Sequence, residues 1–557
     1  YPRPPPPSQI QPIVKPQPPL PPVHSTVKPQ PPPPSSSNLI RPRNEITVLL
    51  LGETGVGKST FINAFVNYLK FETLEQAERG EPAVLIPVSF LVTLGDNFDE
   101  FIVKFGNDDV NEDFEHEGQS VTQHCKSYIF DLNHQTSLRI IDTPGIGDTR
   151  GVAQDMKNID HILTYINTLP KLDAVCLLLK PNASRLNIFF RSCVNQLITY
   201  LTPNGYQNII FCFTNARSTF YAPGDTGRLL REMLNQEHLN EIPFKKENTF
   251  CFDSESFRYL AARKCQIEFD EFQQKEYKNS WNVSVGESTR FLKYIQSRKP
   301  YELQLYKSPR KAIIDINTLA RPLMETLRLI IYNWKISEAK IAFNQMTLQA
   351  TPVDIEMCTY CAQTNLVQIG PYWLVQYQQP VSQRNEISQH TFCPTDRDHI
   401  LLESNLRHEF PVGGAGLKNQ QWQKSLNDFL LDCDRLHHFL RQQGPSSNDD
   451  PFQMIIQCFL NEEQQISQYT DIDSAMNRGV RDVLQSLQQI RQRNSQQLFA
   501  DNERLSCRDI YGIIDRLMHI DTVDKQFKAI KQSRQILMQK YERRIAANII
   551  QNRKFTN

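Results

Sequence analysis

The chain has 557 residues, enough for two to four domains and at least one large hydrophobic core. Its 61 basic and 61 acidic residues balance, so no global electrostatic attraction draws it to nucleic acid or membranes. Its 12 cysteines are irregularly spaced, unlike a small secreted disulfide scaffold, and no apolar run approaches the roughly 18 residues of a transmembrane helix. We therefore expect a cytoplasmic protein with reduced thiols, no transmembrane anchor and no nucleic-acid partner.

Residues 1–43 form a proline-rich tail that holds 17 of the 35 prolines and few large apolar side chains. Such a segment cannot bury enough surface to offset its ordering entropy, so we predict a disordered tail rich in polyproline II. The runs Val14–Pro22 and Val27–Pro34 nearly repeat each other, and each places a lysine three residues before a PxxP. This pattern suits an SH3-type partner domain, although a stiff spacer would have the same composition.

Between residues 44 and 299, short apolar runs alternate with amphipathic stretches. The alternation predicts an α/β domain with a mostly parallel sheet. The predicted strands are Ile46–Leu51, Ser127–Leu132, Leu138–Ile141, Ala174–Leu179, Asn208–Phe213 and Thr249–Phe252. The predicted helices are Lys58–Leu69, Val152–Leu169, Leu186–Leu201, Asp225–Leu234 and Ser256–Ala262. The runs Ser89–Leu94 and Glu100–Phe105, joined by a polar turn, predict an added hairpin.

The first chemical motif is a P-loop, GETGVGKS, between the first predicted strand and a helix that begins near Lys58. A triphosphate needs several converging backbone N–H donors, and glycines let the chain wrap that tightly, while the helix N-terminus adds its positive end. Lys58 should reach the β- and γ-phosphates, and the Ser59 hydroxyl should bind magnesium. The predicted nucleotide-binding residues here are Gly52, Glu53, Thr54, Gly55, Val56, Gly57, Lys58, Ser59 and Thr60.

Two further elements predict the magnesium and γ-phosphate side of the site. The run Arg139–Gly145 is an apolar strand that ends in DTPG, so Asp142 can hold a water on magnesium and the Gly145 N–H can meet the γ-phosphate. Residues 107–118 contain six acids, and Ser120-Val121-Thr122 follows them. This segment fits a switch loop whose Thr122 closes over magnesium and γ-phosphate, although an ordinary surface loop remains the alternative. Thr122 and Gly145 are thus candidate catalytic residues, and Ser59, Thr122 and Asp142 are candidate magnesium ligands.

These motifs, followed by a strand that ends in Phe213-Thr214-Asn215, resemble the septin/AIG-type group of P-loop GTPases. That group includes the septins, the immunity-associated GTPases and the chloroplast import receptors. The runs Leu179–Asn182, Phe213–Tyr221 and Phe252–Arg258 resemble a eukaryotic subgroup of such G-domain proteins. The resemblance covers about residues 44–300 and implies a Ras-like fold, GTP with magnesium, self-association, and switching or assembly rather than metabolism.

The sequence departs from the family at the base-reading motif, [NT]-K-x-D, whose carboxylate accepts hydrogen bonds from guanine. The matching positions, Thr214–Arg217, read TNAR, and arginine cannot accept those bonds. Guanine selectivity would then need Asp253 or Glu255, at the next strand end, to supply the acceptor. The candidate base-side residues are Thr214, Asn215, Asp253 and Glu255, and an ATPase is a weaker alternative.

A second departure concerns hydrolysis, because Ile146 stands where Ras-like enzymes orient the attacking water with glutamine. Relatives without that glutamine hydrolyse slowly or depend on a partner subunit. Arg150, Arg185 or Arg217 could act across a dimer, and nothing in the sequence ranks them above surface arginines. The resemblance thus implies a GTP-binding switch or assembly protein that is a weak, dimer-dependent GTPase. The alternative is a nucleotide-retaining scaffold with little or no turnover.

A cysteine-containing insert is predicted at 352–410, between a helical connector at 300–351 and a helical bundle or coiled-coil region at 411–557. Cys358, Cys361, His390 and Cys393 could close a tetrahedral zinc site, with His399 as a substitute for His390. Buried thiols without metal are the equal alternative.

Apolar spacing in the last region predicts two helices. Their seams are Leu426, Phe429, Cys433, Leu436 and Leu440, and then Leu537, Tyr541, Ile545 and Ile549. Cys433 lies on its seam, so we interpret it as core rather than metal ligand. The basic stretch Lys525–Lys554 fits the outer helix of a bundle, with an acidic partner or anionic lipid as the alternative.

Overall fold

A computed structural model of the chain describes residues 44–95, 97–106, 122, 124–133, 135–147, 152–186, 188–235, 239–303, 305–341, 346–352, 357–358, 363–378, 401–402, 406–409, 419–443, 450–468, 475–500, 504–540 and 542–545. The predicted disordered tail and most of the predicted switch loop therefore lie outside the described residues. Within these ranges, no helix combines the length and the apolar character needed to cross a membrane.

Residues 44–302, which we call the P-loop domain, are built on a central sheet. Its elements are β1 (Asn44–Gly52), α1 (Lys58–Lys70), α2 (Leu74–Arg79), β2 (Val88–Leu94), β3 (Asp99–Phe105), β4 (Lys126–Asp131), β5 (Thr136–Asp142), α3 (Val152–Thr168), β6 (Lys171–Leu172), β7 (Ala174–Leu179), α4 (Ile188–Leu201), β8 (Ile209–Phe213), α5 (Gly224–Leu234), β9 (Thr249–Cys251), α6 (Glu255–Lys264), α7 (Glu271–Gln296) and β10 (Tyr301–Glu302).

The order of the central strands is β4-β5-β1-β7-β8-β9, and every neighbouring pair is parallel except β4–β5. This arrangement confirms the predicted Ras-like α/β fold with a mostly parallel sheet. The predicted added hairpin is also confirmed, because β2 and β3 pair in antiparallel fashion.

The sheet is buried on both faces, which explains the continuous apolar runs of its strands. Side chains alternate along a strand, so Leu49 and Leu51 of β1 join a core with residues of α3 and α4. Val48 and Leu50 face the opposite core, which α1 and α7 cover. Consecutive residues of one strand therefore hold helices on both sides of the sheet.

Residues 309–540 form the helical region, built around one long helix. Its elements are α8 (Pro309–Glu338), β11 (Gln349–Pro352), β12 (Met357–Cys358), β13 (Gln363–Ile369), β14 (Tyr372–Gln378), β15 (Leu401–Leu402), β16 (Leu406–Glu409), α9 (Asn419–Gln442), α10 (Pro451–Ser467), α11 (Ala475–Ala500), α12 (Cys507–Met518) and α13 (Asp521–Lys540), followed by β17 (Glu542–Ile545).

Helix α8 begins at Pro309 because the Ser308 side chain caps it, accepting a hydrogen bond from the Lys311 backbone N–H at 3.1 Å. Most of α8 is buried, and its apolar residues share one core with α9, α10, α11 and α12. The first predicted seam is confirmed as the buried face of α9: Leu426, Phe429, Cys433, Leu436 and Leu440.

The end of the described chain corrects a prediction. The spacing of Leu537, Tyr541, Ile545 and Ile549 predicts one continuous helix, but α13 ends at Lys540 and Glu542–Ile545 is a strand. That strand, β17, pairs in parallel with β4. An open sheet edge presents unpaired backbone N–H and C=O groups, which β17 satisfies, and Arg139 donates to Glu542 at 3.0 Å. The spacing of apolar residues along the chain contains no information about this pairing with a distant strand.

Two strand pairs join the residues before position 299 to the chain that follows it. Strand β10 pairs with β6, and β17 adds a seventh strand to the central sheet beside β4. Contacts therefore run across the predicted boundary between the G domain and the helical connector. The positions of the domain boundaries stay predictions.

A buried ion network lies inside the helical region. Arg328 Nη2 donates to Glu325 Oε2 at 2.8 Å, and its Nη1 donates to Glu462 on α10. Arg321 forms a second ion pair with Glu325, and the Tyr377 hydroxyl donates to Glu462 at 2.8 Å. Charges in a dry interior need such partners, so the network ties α8, α10 and β14 together.

Glu463, beside this network, gives a pH-dependent prediction. Burial raises its pKa from 4.5 to about 7, and Glu462 adds to the rise, against the opposing effects of Asn477 and Arg328. The folded protein then holds this proton more tightly than the unfolded chain between those two values. Stability therefore falls as the pH rises from 4.5 to about 7. We expect Glu463→Gln, which keeps an oxygen for the Asn477 side chain, to be more stable than the wild type at pH 8 by about 1–3 kcal/mol.

Urea unfolding at pH 5 and pH 8 measures this effect. Glu232→Gln is the control, because Glu232 is an exposed residue of a surface ion pair and should leave the pH dependence unchanged. A Glu463→Gln protein less stable than the wild type at pH 8 would contradict the prediction.

Candidate nucleotide-binding site

The P-loop lies at the carboxyl edge of the central sheet, between the end of β1 at Gly52 and the start of α1 at Lys58. Gly57 caps α1 with a φ of 96°, a left-handed conformation that glycine adopts without strain. The first turn of α1, including Ser59 and Thr60, follows directly. The loop therefore opens onto a helix N-terminus, where backbone N–H groups and the helix dipole favour an anion.

Lys58 folds back over the loop that precedes it. Its side chain is only 7 % exposed, and Nζ donates to the carbonyl oxygens of Gly52 at 3.1 Å and Glu53 at 3.2 Å. These neutral acceptors hold the ammonium group at the mouth of the loop. A phosphate oxygen placed there would make a stronger, charge-assisted bond.

The three predicted magnesium ligands come together beside the P-loop. Ser59 Oγ lies 3.2 Å from Asp142 Oδ2 and 3.4 Å from Thr122 Oγ1, and Thr122 Oγ1 lies 3.3 Å from Asp142 Oδ2. Adjacent ligands of an octahedral ion with bonds of about 2.1 Å are about 3.0 Å apart. The oxygen donors and their spacing fit one face of a Mg²⁺ coordination shell.

Asp142 is fully buried at the end of β5. Its burial raises the pKa of the carboxyl group, while Lys58 and the bonds from Ser59 and Thr122 lower it. The Asp142 side chain also accepts from the Thr143 backbone N–H at 3.1 Å, which fixes its orientation. A rigid, buried carboxylate beside two hydroxyls is suited to a hard cation.

The DTPG loop is joined to the P-loop by backbone hydrogen bonds. Thr54 N–H donates to the Ile146 carbonyl at 2.8 Å, and Ile146 N–H donates to the Gly52 carbonyl at 3.2 Å. Gly145 of the DTPG loop lies so close to Thr54 of the P-loop that a Cβ on Gly145 would be 2.5 Å from Thr54 Oγ1. Thr54 Oγ1 is itself buried and lacks a hydrogen-bond partner in the described part of the chain. A phosphate oxygen in the loop would satisfy this hydroxyl.

Ile146 occupies the position at which a Ras-like enzyme carries its water-orienting glutamine. Its side chain is 1 % exposed and packs in the core with Leu49 and Ile141. The side chain is apolar and points into the core, so it cannot orient a water at the γ-phosphate.

Helix α3 supports the site from behind, a role that sequence analysis did not predict. Gly147 N–H donates to Asp155 Oδ1 at 2.9 Å, and Asn158 Nδ2 donates to the Gly145 carbonyl at 3.1 Å. The Cys125 N–H, three residues after Thr122, donates to His161 Nε2 at 3.2 Å. Burial lowers the pKa of His161 to about 4, so its ring is neutral at pH 7 and can accept this bond. The available sequence signal was the spacing of Asp155, Asn158 and His161, three polar residues at steps of three along α3.

On the base side, Thr214 holds the P-loop in place. Its hydroxyl is buried and donates to the Val56 carbonyl at 2.7 Å, with a second contact to the Leu179 carbonyl at 3.3 Å. Asn215 follows with a φ of 54°. Both of these contacts of the Thr214 hydroxyl are to backbone carbonyl oxygens, so its role here is to position the P-loop.

The two candidate acceptors, Asp253 and Glu255, are both engaged by other residues. Asp253 is 1 % exposed and accepts from Ser280 Oγ at 2.7 Å, while Arg217 Nε lies 3.6 Å from its Oδ2. Burial raises the pKa of Asp253, and Ser280 and Arg217 oppose the rise. Glu255 pairs with Arg258 at 2.8 Å. Reading a base would require Asp253 to release one of these contacts.

Other predicted residues lie outside the described part of the chain. This is true of Arg150 and, in the zinc prediction, of Cys361, His390, Cys393 and His399, while only the backbone of Cys358 is described. No group of three or more histidines, cysteines and carboxylates among the described residues is placed to hold a metal. The zinc site stays a prediction. Cys433 is buried in the helical core, as interpreted from its seam.

Comparison with known proteins gives similar solved structures only. No protein-family model matches the sequence, and no curated protein matches it. Toc33 from Arabidopsis thaliana in complex with GDP and Mg²⁺ is 16 % identical with a TM-score of 0.25, and the match covers 47 % of this chain and 88 % of that one. A dimerization-deficient mutant of the same protein is 15 % identical with a TM-score of 0.25, covering 46 % and 87 %.

A further structure, from work on the dimerization-dependent GTPase activity of the chloroplast translocon components atToc33 and psToc159, is 14 % identical. Its TM-score is 0.29, and the match covers 46 % of this chain and 86 % of that one. From its own coordinates, the chain carries a Ras-like P-loop domain, and structures of Toc33 are among the solved structures to which it is similar.

Proposed function

We propose that this chain binds GTP with Mg²⁺ at its P-loop and acts as a switch or assembly protein with slow, dimer-dependent hydrolysis. The main support for triphosphate and Mg²⁺ binding is that Lys58, Ser59, Thr122 and Asp142 lie together at one helix N-terminus. When bound, Mg²⁺ would be held by the oxygens of Ser59, Thr122 and Asp142 and would neutralise phosphate charge. The chain itself would contribute the loop N–H groups, Lys58 and the buried Thr54 hydroxyl.

The proposed switching function is based on the hydrogen bonds that join the loops of the site to helix α3. Thr122 ends the predicted switch loop, and Gly145 begins the second loop, which is hydrogen-bonded to α3. A γ-phosphate that drew Thr122 and Gly145 towards it would also pull on Asn158 and Asp155. Loss of that phosphate would release both loops, as in other GTP-driven order–disorder changes.

Guanine as the base is proposed from the family resemblance. Toc33 has been crystallised with GDP and Mg²⁺, and with GMPPNP and Mg²⁺. In this chain, the carboxylate of Asp253 is the candidate acceptor, and Arg217, which lies beside it, would compete with the base for that carboxylate. The test is to identify the nucleotide that co-purifies, and then to titrate fluorescent GTP and ATP analogues with and without Mg²⁺. Selective binding of the ATP analogue would overturn the proposed guanine selectivity, but it would still support the proposed phosphate site.

The scaffold alternative has its own support in Ile146, whose buried side chain leaves no water-orienting group at that position. Turnover measured against protein concentration separates the two functions. A rate per molecule that rises with concentration supports a dimer-dependent GTPase. Bound nucleotide with no turnover at any concentration supports the nucleotide-retaining scaffold.

We also propose an SH3-type partner for the proline-rich tail, self-association through the P-loop domain or the helices, a structural zinc ion at the cysteine-containing insert, and a cytoplasmic location.

A further inference from the structure

A large cavity lies between the P-loop domain and the helical region, away from the P-loop. Its volume is about 850 Å³, within the range of about 300–1,000 Å³ usual for small-molecule sites. Helices α3 and α4 line one side, and α8 lines the other, with parts of α9, α10 and α13. The cavity is thus lined by both the P-loop domain and the helical region, and none of its lining residues belongs to the candidate nucleotide site.

The charged side chains that line the cavity are three arginines and one carboxylate: Arg191, Arg310, Arg534 and Asp160. Arg310 forms an ion pair with Asp160, and Arg534 Nη1 donates to Thr318 Oγ1 at 3.2 Å. The single carboxylate neutralises one guanidinium, so the lining carries an excess of positive charge. The rest of the lining mixes apolar side chains, such as Met156 and Ile313, with uncharged polar ones.

Three polar atoms of this lining are buried without a hydrogen-bond partner in the described part of the chain: Arg191 Nε, Arg310 Nε and Asn195 Oδ1. Burying a polar group without a partner is unfavourable, so such groups call for a ligand or ordered water. Two of the atoms are donors on guanidinium groups, whose planar forks match the oxygen pairs of phosphate and carboxylate. The third is an acceptor and suits a hydroxyl.

We propose that this cavity binds a hydroxylated small molecule carrying an oxyanion, a phosphate or a carboxylate, with Arg191 and Arg310 as its principal anion contacts. Arg534 adds a third positive charge to the site. The apolar part of the lining leaves room for the carbon body of the ligand. This binding does not depend on the proposed nucleotide function.

The cavity is linked to the DTPG loop through one helix. Asp155 and Asn158 of α3 hold that loop, while Met156 and Asp160 of the same helix line the cavity. A shift of α3 that accompanies nucleotide exchange would therefore move one wall of the cavity. We expect the anion affinity to differ several-fold between the GDP-bound and GTP-analogue-bound forms, a linkage that rests on the proposed function.

The test is calorimetric titration of the full chain with citrate as the carboxylate probe and inositol hexakisphosphate as the phosphate probe. The titrations contain no Mg²⁺, because citrate and inositol hexakisphosphate both chelate it; saturating GDP is present throughout, and sodium chloride matches the ionic strength. We expect one of the probes to bind with a Kd below about 1 mM. Arg191→Gln and Arg310→Gln should each weaken it at least tenfold, whereas Arg228→Gln, on the exposed face of α5, should have no effect.

The outcomes separate the cavity from the nucleotide site. Lys58→Ala should lose nucleotide binding and keep the anion site, which supports the cavity even if the nucleotide proposal fails. Loss of anion binding in Lys58→Ala, or equal binding by Arg191→Gln and wild type, would place the anion elsewhere and overturn the proposal. Failure of both probes to bind the wild type would overturn it as well.

Discussion

Lys58→Ala is expected to weaken Mg²⁺-dependent nucleotide binding by about 10²–10³-fold, because it removes the positive charge that would face the β- and γ-phosphates of the proposed nucleotide. In the structure this ammonium group is held by two neutral carbonyl oxygens at 3.1 and 3.2 Å, so it is already placed at the mouth of the loop. Charge-assisted bonds to phosphate are worth about 1.5–3 kcal/mol each, and every 1.4 kcal/mol is a tenfold change in Kd. Two such bonds account for the expected loss.

Titration with a fluorescent GTP analogue, in the presence and absence of Mg²⁺, measures this loss. Lys70→Ala is the matched control, since Lys70 ends the same helix and its Nζ donates to the Glu81 carbonyl, away from the loop. Thermal unfolding without nucleotide checks that each variant folds. Equal affinity in Lys58→Ala and wild type would remove the P-loop from the binding site.

The central sheet could be predicted from the sequence because its strands are buried on both faces. Continuous apolar runs then mark the strands, and β7 has the predicted bounds, Ala174–Leu179. The magnesium-side oxygens of Ser59, Thr122 and Asp142 were predictable for a related reason. Ser59 follows β1, Asp142 ends β5 and Thr122 precedes β4, and these strand ends lie at the same edge of the sheet.

Helix α7, in contrast, was not predicted, because small polar residues occupy much of its buried face and three of its buried apolar residues, Phe291, Leu292 and Ile295, lie in its last turns. Ser280, Ser284 and Ser288 recur at steps of four and are all buried. Two of them bond to Asp253, since Ser280 Oγ donates to its carboxylate and Ser284 Oγ accepts from its backbone N–H at 3.3 Å. Apolar periodicity could not reveal these partners, so the environment of the candidate base-reading acceptor was also beyond prediction.

Strand β17 shows a second limit of local reasoning. The stretch that contains it is basic and has helical spacing, and α13 follows that pattern as far as Lys540. What ends the helix is the open edge of β4, formed by residues more than 400 positions earlier. A prediction from neighbouring residues cannot include a backbone partner so distant in sequence.

Arg328→Ala is expected to destabilise the helical region by about 3–5 kcal/mol, because it leaves buried carboxylates without their cation. Glu325 is 0 % exposed, and Arg328 is the residue that joins it to Glu462 across α8 and α10. The guanidinium group also lies over the Phe459 ring at 4.0 Å, so the truncation removes packing as well as charge. Arg321 is already paired with Glu325, so Glu462 loses the ion pair that Arg328 makes with it.

Urea unfolding followed by circular dichroism measures this change, since the affected region is largely helical. Arg228→Ala is the control: Arg228 is 71 % exposed in a surface pair with Glu232, and its loss should change stability by less than about 0.5 kcal/mol. The double variant Arg328→Met, Glu462→Gln distinguishes charge from packing, and it keeps the ion pair of Arg321 and Glu325. Because it removes the carboxylate that Arg328→Ala leaves unpaired and fills the volume, it should recover much of the stability that Arg328→Ala loses. A double variant no more stable than Arg328→Ala would show that the unpaired charge of Glu462 does not set the cost.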